Sequence, residues 1–199
     1  MEYSAGTVSC LFWYTETQKT AELILQNKTL EEIRQIANDE NIYQVRAADR
    51  ARRIAGVCYK RLVPLGEEIQ KEIAYENPEM GKIMLLIGIM KTDLLFYEFM
   101  HLVVKHAILI GTKRIEDVEV NNFFEDKIRE SEVVARFSDS AIYKLKQTYV
   151  KMLVEAGFVD NTKDKNILVP FISERIISML RKMDLLPYLS CINGVEYNV

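Results

Sequence analysis

The residues whose types and spacing suit chemistry lie between positions 138 and 165, and the chemistry they suit is binding of a polyanion. Turning about 100° per residue from Ser140, a helix there places Ser140, Lys144, Gln147, Thr148 and Lys151 on one side. Ala141, Leu145, Tyr149, Met152, Leu153 and Ala156 fall on the other. The polar side carries hydroxyl, amide and ammonium groups, which hydrogen-bond to phosphate oxygens and to base edges in a major groove. The same stripe also suits the solvated face of a packed helix. Lys163 and Lys165 follow in a turn-rich loop. A second cationic set, Arg46, Arg50, Arg53, Lys60 and Arg61, stands on a helix expected over residues 45–62, beside a stripe of Ala47, Ala51, Ile54, Ala55, Cys58 and Leu62. Cations crowded on one face repel one another unless an anion sits nearby, which favours a binding role.

Catalytic constellations are missing from the sequence. It has no Gly-rich phosphate loop, HExxH, nucleophile elbow or CxxC. His101 and His106 are five residues apart, about 140° around an α-helix, which does not aim both at one metal. The Glu125–Asp126 pair lies in an acidic run, where solvation explains it. The expectation is a non-enzymatic protein with no catalytic residue, metal or cofactor.

These groups need elements to hold them. A helix over residues 140–156 ends at Gly157, which accepts the left-handed conformation that closes a helix. Residues 158–160 and 166–169 then read as short strands joined by the lysine-bearing loop. Helix, glycine, strand, basic loop and strand resemble the recognition helix and wing of a winged helix-turn-helix. Upstream stand an acidic amphipathic helix over 118–129 and a short positioning helix over 131–137, with Ser138 and Ser140 able to cap the recognition helix at its start. Downstream stand a closing helix over 172–183 and an extended tail over 186–199.

In the N-terminal half, residues 1–14 read as an ordered arm bearing the chain's single tryptophan, Trp13. Helices follow over 15–26 and 30–37, the second opened by a Thr29/Glu32 capping box. The short helix, a break and the longer basic helix resemble a helix-turn-helix. After a break at residues 64–66 comes a short acidic helix over 67–75, and Asn77-Pro78 opens an apolar helical pair ending at Gly111-Thr112. The sequence thus predicts a mainly α protein. A helical N-terminal domain with helix-turn-helix character spans 1–111, and a C-terminal winged helix-turn-helix with a small β-hairpin wing spans 112–199, its recognition helix at 140–156 and its wing at 158–169.

Bulk properties narrow the function classes. The 199 residues carry a formal net charge of -3, so nucleic-acid binding must rest on local patches. The charge is segregated: residues 41–63 hold six cations against Asp49 alone, while residues 116–132 hold seven acids against Lys127 and Arg129. Cys10, Cys58 and Cys191 are odd in number and in no metal spacing, as in a reduced cytoplasmic protein. The start, MEYSAG, has neither a basic nor an apolar run of a secretory signal. The apolar run from Ile83 stops at Met90, and Lys91, Asp93, Glu98 and Lys105 interrupt the stretch up to Ile110, short of the roughly 20 apolar residues of a membrane span.

Several segments together resemble one family. They are YSAG near the start, NIYQVR leading into A-x-x-A-R-R-I-A, the Arg61-Leu62 ending of that helix, and L-x-E-A-G-F before the hairpin. The set resembles the BrxA family of bacteriophage exclusion (BREX) defence systems over nearly the whole chain. The resemblance implies a small, mostly helical, non-enzymatic protein with helix-turn-helix and winged-helix features that binds double-stranded DNA and works beside larger defence proteins. It also implies a comparison of the N-terminal helices with the RNA-binding fold of NusB. The expected function is a DNA-binding accessory protein of phage defence. The alternatives are a protein-interaction adaptor within the defence complex and, with no clear base-stacking platform to favour it, an RNA-binding protein.

Overall fold

A computed structural model describes residues 2–197. The chain divides into two compact units, one of Phe12–Gly88 and the other of Met1–Leu11 with Ile89–Val199. The expected boundary at Gly111 falls inside the second of these, and the N-terminal arm divides between the two at Leu11.

The first unit is built from α1 (Tyr14–Leu25), α2 (Leu30–Asp39), α3 (Ala48–Leu62), α4 (Gly66–Tyr75) and most of α5 (Pro78–Met90). Trp13, buried, sets the entry to α1 from a left-handed backbone with φ 53°. The Thr29/Glu32 capping box forms: the Glu32 amide donates to Thr29 Oγ1 and the Thr29 amide to Glu32 Oε2. The α3 stripe of Ala51, Ile54, Ala55, Cys58 and Leu62 is buried, and α3 packs on α1 and α2. Residues 45–47, expected to be helical, are not. The helix begins only after Ala47, whose extended backbone caps it, while the Asn41 side chain accepts from the Val45 amide in the preceding turn.

The second unit contains α6 (Leu94–Phe99), a π-helical turn (Met100–Val104), α7 (Lys105–Leu109), α8 (Asp117–Glu130), α9 (Glu132–Ala135), α10 (Asp139–Glu155), α11 (Glu174–Lys182) and α12 (Leu186–Asn193). Its core is aromatic. Tyr149 of α10 packs against Phe96 and Phe99 at centroid distances of 5.0 and 5.4 Å, and Phe99 meets Phe123 at 5.6 Å. The arm is tied to α6 through the Tyr3 hydroxyl, which donates to Glu98 at 2.9 Å.

Two expectations are corrected here. The sequence predicts an extended tail over 186–199, yet residues 186–193 form α12, with Pro187 in its first turn and Gly194 closing it at φ 72°. Burial of Leu186, Leu189, Cys191 and Ile192 holds that helix. The last two residues of the predicted tail lie outside those described. The expected wing strands are the second correction: among the described residues there is no regular strand. Val159 and Ile167 form one isolated antiparallel bridge, and Arg114 and Asn166 another. Pro170 has no N–H to continue a ladder, and the turn at residues 162–164 leaves few residues on either side to pair, so pairing ends after single bridges.

Candidate nucleic-acid interface

The Ser138 hydroxyl accepts from the Ala141 amide at 3.2 Å and caps α10. At the other end Gly157 takes φ 72°, its amide donating to the Val154 carbonyl and that of Phe158 to the Leu153 carbonyl. This pair of bonds is a Schellman close. Gly157 has open space around its Cα, so backbone conformation, not crowding, requires glycine there. Between these caps Leu145, Tyr149, Met152 and Leu153 are buried, as the stripe predicts.

Asp160 holds the hairpin after α10. Its carboxylate accepts from the backbone amides of Asn161 and Asn166 and from the Asn166 side chain, the last at 2.7 Å. The Asn166 amide, then those backbone N–H groups, keep the Asp160 carboxyl below its usual range. Asn161 Oδ1 accepts from the amides of Lys163 and Asp164, each at 2.8 Å. The Ile115 amide donates to the Lys165 carbonyl and the Ile167 amide to that of Lys113, which brings residues 113–115 alongside.

The predicted residues of this half divide. Ser140, Lys144, Gln147, Lys151 and Lys163 are exposed and Thr148 is half-buried. Ser140 shares a hydrogen bond with Ser138 at 3.1 Å, and Lys151 stands 3.7 Å from Glu155. Lys165, expected at the loop tip, turns inward instead: φ 54° directs it to Asp117 at 2.6 Å, and its side chain is 11% exposed. Gln147, Lys151 and Lys165 come together on an open groove of about 680 Å³ between α8, α10 and the hairpin. Lys144 and Lys163 do not line it.

The groove also contains Tyr143 and Lys146, which lie outside the residue set predicted from sequence. The Gln147 side-chain nitrogen donates to the Tyr143 hydroxyl at 3.0 Å, and Lys146 Nζ donates to Asn121 Oδ1 at 2.7 Å. Tyr143 falls about 40° and Lys146 about 100° beyond the Gln147 edge of the polar stripe, and a tyrosine four residues before a glutamine was the available signal.

On α3, Arg50, Arg53 and Lys60 are exposed, and Arg46 is exposed in the turn before the helix. Arg61 is a correction. It is 4% exposed, and its Nη1 donates to the Phe12 carbonyl at 3.0 Å, so it belongs to the core. Arg52, outside the predicted set, is exposed beside Asp49 at 3.5 Å. Burial pushes the neighbouring Cys58 thiol up to about 11, and the Cys191 thiol up to about 12.

His101 Nδ1 lies 3.8 Å from Cys191 Sγ. Among the described residues no cluster of three or more His, Cys, Asp or Glu is arranged to hold a metal ion, and no helix is long and apolar enough to cross a membrane.

The fold and these surfaces define a mainly helical protein of two units, each presenting a helix with exposed cations. The chain belongs to the BrxA family, whose model matches residues 1–184. It is 35% identical over 171 residues to the BREX protein BrxA of Bacillus cereus (strain H3081.97), covering 85% of this chain and 86% of that one. It is 24% identical over 179 residues to the BREX protein BrxA of Escherichia coli O9:H4 (strain HS), covering 90% and 84%. Among solved structures, the crystal structure of an uncharacterized protein from Magnetospirillum magneticum has the same fold, with a TM-score of 0.81 at 21% identity over 96% of this chain and 98% of that one.

Proposed function

We propose that this protein is a non-enzymatic, cytoplasmic component of a BREX phage-defence system that binds double-stranded DNA. The observation that carries the reading is the exposed cationic series Lys144, Lys151 and Lys163 along a helix and hairpin fixed at both ends by caps. The order of residues 113–115, α8, α9, α10 and hairpin supports a winged helix whose strands are reduced to single bridges, with residues 113–115 paired to the hairpin's return. Arg46, Arg50, Arg53 and Lys60 offer a second phosphate-binding surface. Membership of the BrxA family and the names of its relatives support the defence role and other BREX proteins as partners.

The test is an anisotropy titration of a blunt random-sequence duplex at two salt concentrations. Salt-sensitive binding is expected, weakened in Lys144→Glu/Lys151→Glu and in Arg50→Glu/Arg53→Glu with the folded state intact. Unchanged affinity in both variants overturns the assignment of these surfaces. One observation favours a second reading, that of an adaptor for another defence protein: Phe171 is 88% and Leu168 52% exposed on the hairpin's exit, an apolar strip of the kind protein partners cover. A pull-down that loses its partner in Phe171→Ser, with duplex binding intact, would establish it.

A further inference from the structure

We propose that the groove between α8, α10 and the hairpin binds a nucleoside monophosphate unit whose base is unpaired. This goes beyond duplex binding and does not rest on it, although the groove shares Lys151 with that surface.

The groove has the three parts such a ligand needs. The first is a stacking surface. Tyr143 is 62% exposed, and the Gln147 amide bonded to its hydroxyl steadies the ring. Val120 and Val150, both buried, line the groove with it. The second is a pair of groups that read a base edge. Asn121 uses its oxygen on Lys146 and Gln147 its nitrogen on Tyr143. An amide donor on Asn121 and an amide acceptor on Gln147 therefore face no protein partner among the described residues. A base edge presents the complement, one acceptor and one donor. The third is charge. Lys165 pairs with Asp117 and Lys151 stands 3.7 Å from Glu155, while Lys146 is held by the neutral Asn121 oxygen. The lining therefore keeps a cation whose hydrogen-bond partner carries no charge, suited to a phosphate.

Size agrees with the chemistry. At about 680 Å³ the groove lies in the range of small-molecule sites, roughly 300–1,000 Å³. A base inside a duplex has both faces covered by its neighbours, and a terminal pair has its pairing edge taken by its partner. An occupant that offers Tyr143 a face and Asn121 and Gln147 its pairing edge is therefore unpaired. Two sources share this chemistry: a free nucleotide and the unpaired end of a DNA strand.

The experiment titrates the protein with deoxyadenosine 5′-monophosphate, following backbone amide resonances. Saturable shifts centred on Tyr143, Gln147 and Lys151 are expected, with inorganic phosphate giving weaker ones. Tyr143→Ala should weaken the nucleotide by roughly tenfold, as loss of one base–aromatic stack does, and Tyr143→Phe should keep most of the binding. Tyr143 is exposed, so the alanine variant is expected to melt with the wild type, and a thermal melt checks it. The source is separated by comparing a blunt duplex with one bearing a three-nucleotide overhang. Overhang preference lost in Tyr143→Ala assigns the site to strand ends, and equal binding of the two assigns it to the free nucleotide. No saturable shift at millimolar nucleotide, or a folded Tyr143→Ala that binds it as well as the wild type, overturns the proposal. Failure to bind the blunt duplex would instead remove the duplex-binding reading and leave this one standing.

Discussion

Arg61 and Lys144 are both cations on helices, and their surroundings give them opposite jobs. Arg61 is buried with its guanidinium on the Phe12 carbonyl. Its removal leaves that carbonyl without its donor, a loss of about 1–3 kcal/mol for a buried polar group. We therefore expect Arg61→Ala to lower the unfolding midpoint in urea while leaving the duplex affinity of the folded protein unchanged. Lys144→Glu should do the reverse. Asp160 supplies a pH test on the same scale. Its folded-state carboxyl sits below the usual range because the hairpin bonds the charged form. The stability it contributes is therefore present above the ordinary aspartate value and lost as pH falls through the lower folded value. The amide resonances of Asn161 and Asn166, which donate to it, should shift with a midpoint below the ordinary aspartate range; a midpoint within that range would mean the bonds are not held in solution. The thiols give a third check. Cys58 and Cys191 are buried and keep their protons well above neutral pH. A thiol reagent at pH 8 should modify Cys10 first and reach the others only on unfolding.

At the scale of elements, helix ends were legible because their signals are local. The Thr29/Glu32 box, Ser138 and Gly157 each act within a few residues, and each does in the structure what its residue type requires. Signals that depend on distant partners were not legible. Arg61 follows Ile54 by seven residues, about 20° from it around the helix, and only the Phe12 carbonyl, far away in sequence, decides that it turns inward. The pairing of residues 113–115 with the hairpin is likewise non-local. The helix at 186–193 has its signals in plain view, Pro187 near the start and Gly194 after the end, although the sequence predicts an extended tail there. Close packing inside the first unit gives an element-scale prediction. A Cβ at Gly88 of α5 would stand 2.6 Å from the Arg61 carbonyl oxygen. That oxygen is backbone, so the helices must part, and overpacking of this kind costs about 1–3 kcal/mol. Gly88→Ala should be destabilised accordingly, whereas Gly157→Ala, strained only by its left-handed backbone, should lose about 1–2 kcal/mol. A Gly88→Ala variant as stable as the wild type would show that the approach relaxes freely.

For the whole molecule the question is whether its two cationic surfaces act on one polyanion. Net charge is -3, so attraction comes from the patches, and each works against the acids elsewhere on the chain. Counterion release turns this into a count. The logarithm of the duplex association constant falls against the logarithm of salt with a slope of about -0.9 per neutralised phosphate. If Lys144 and Lys151 each hold a phosphate, their double reversal to glutamate flattens the slope by about two contacts' worth, and Arg50→Glu/Arg53→Glu does the same for α3. A protein that uses both surfaces on one duplex will show the four-residue variant flattened by the sum of the two losses. A protein that uses only the helix and hairpin will show no change in slope for the α3 pair, alone or in combination. That second outcome would release the arginines of α3 for an acidic protein partner, and duplex binding would then belong to the second unit alone.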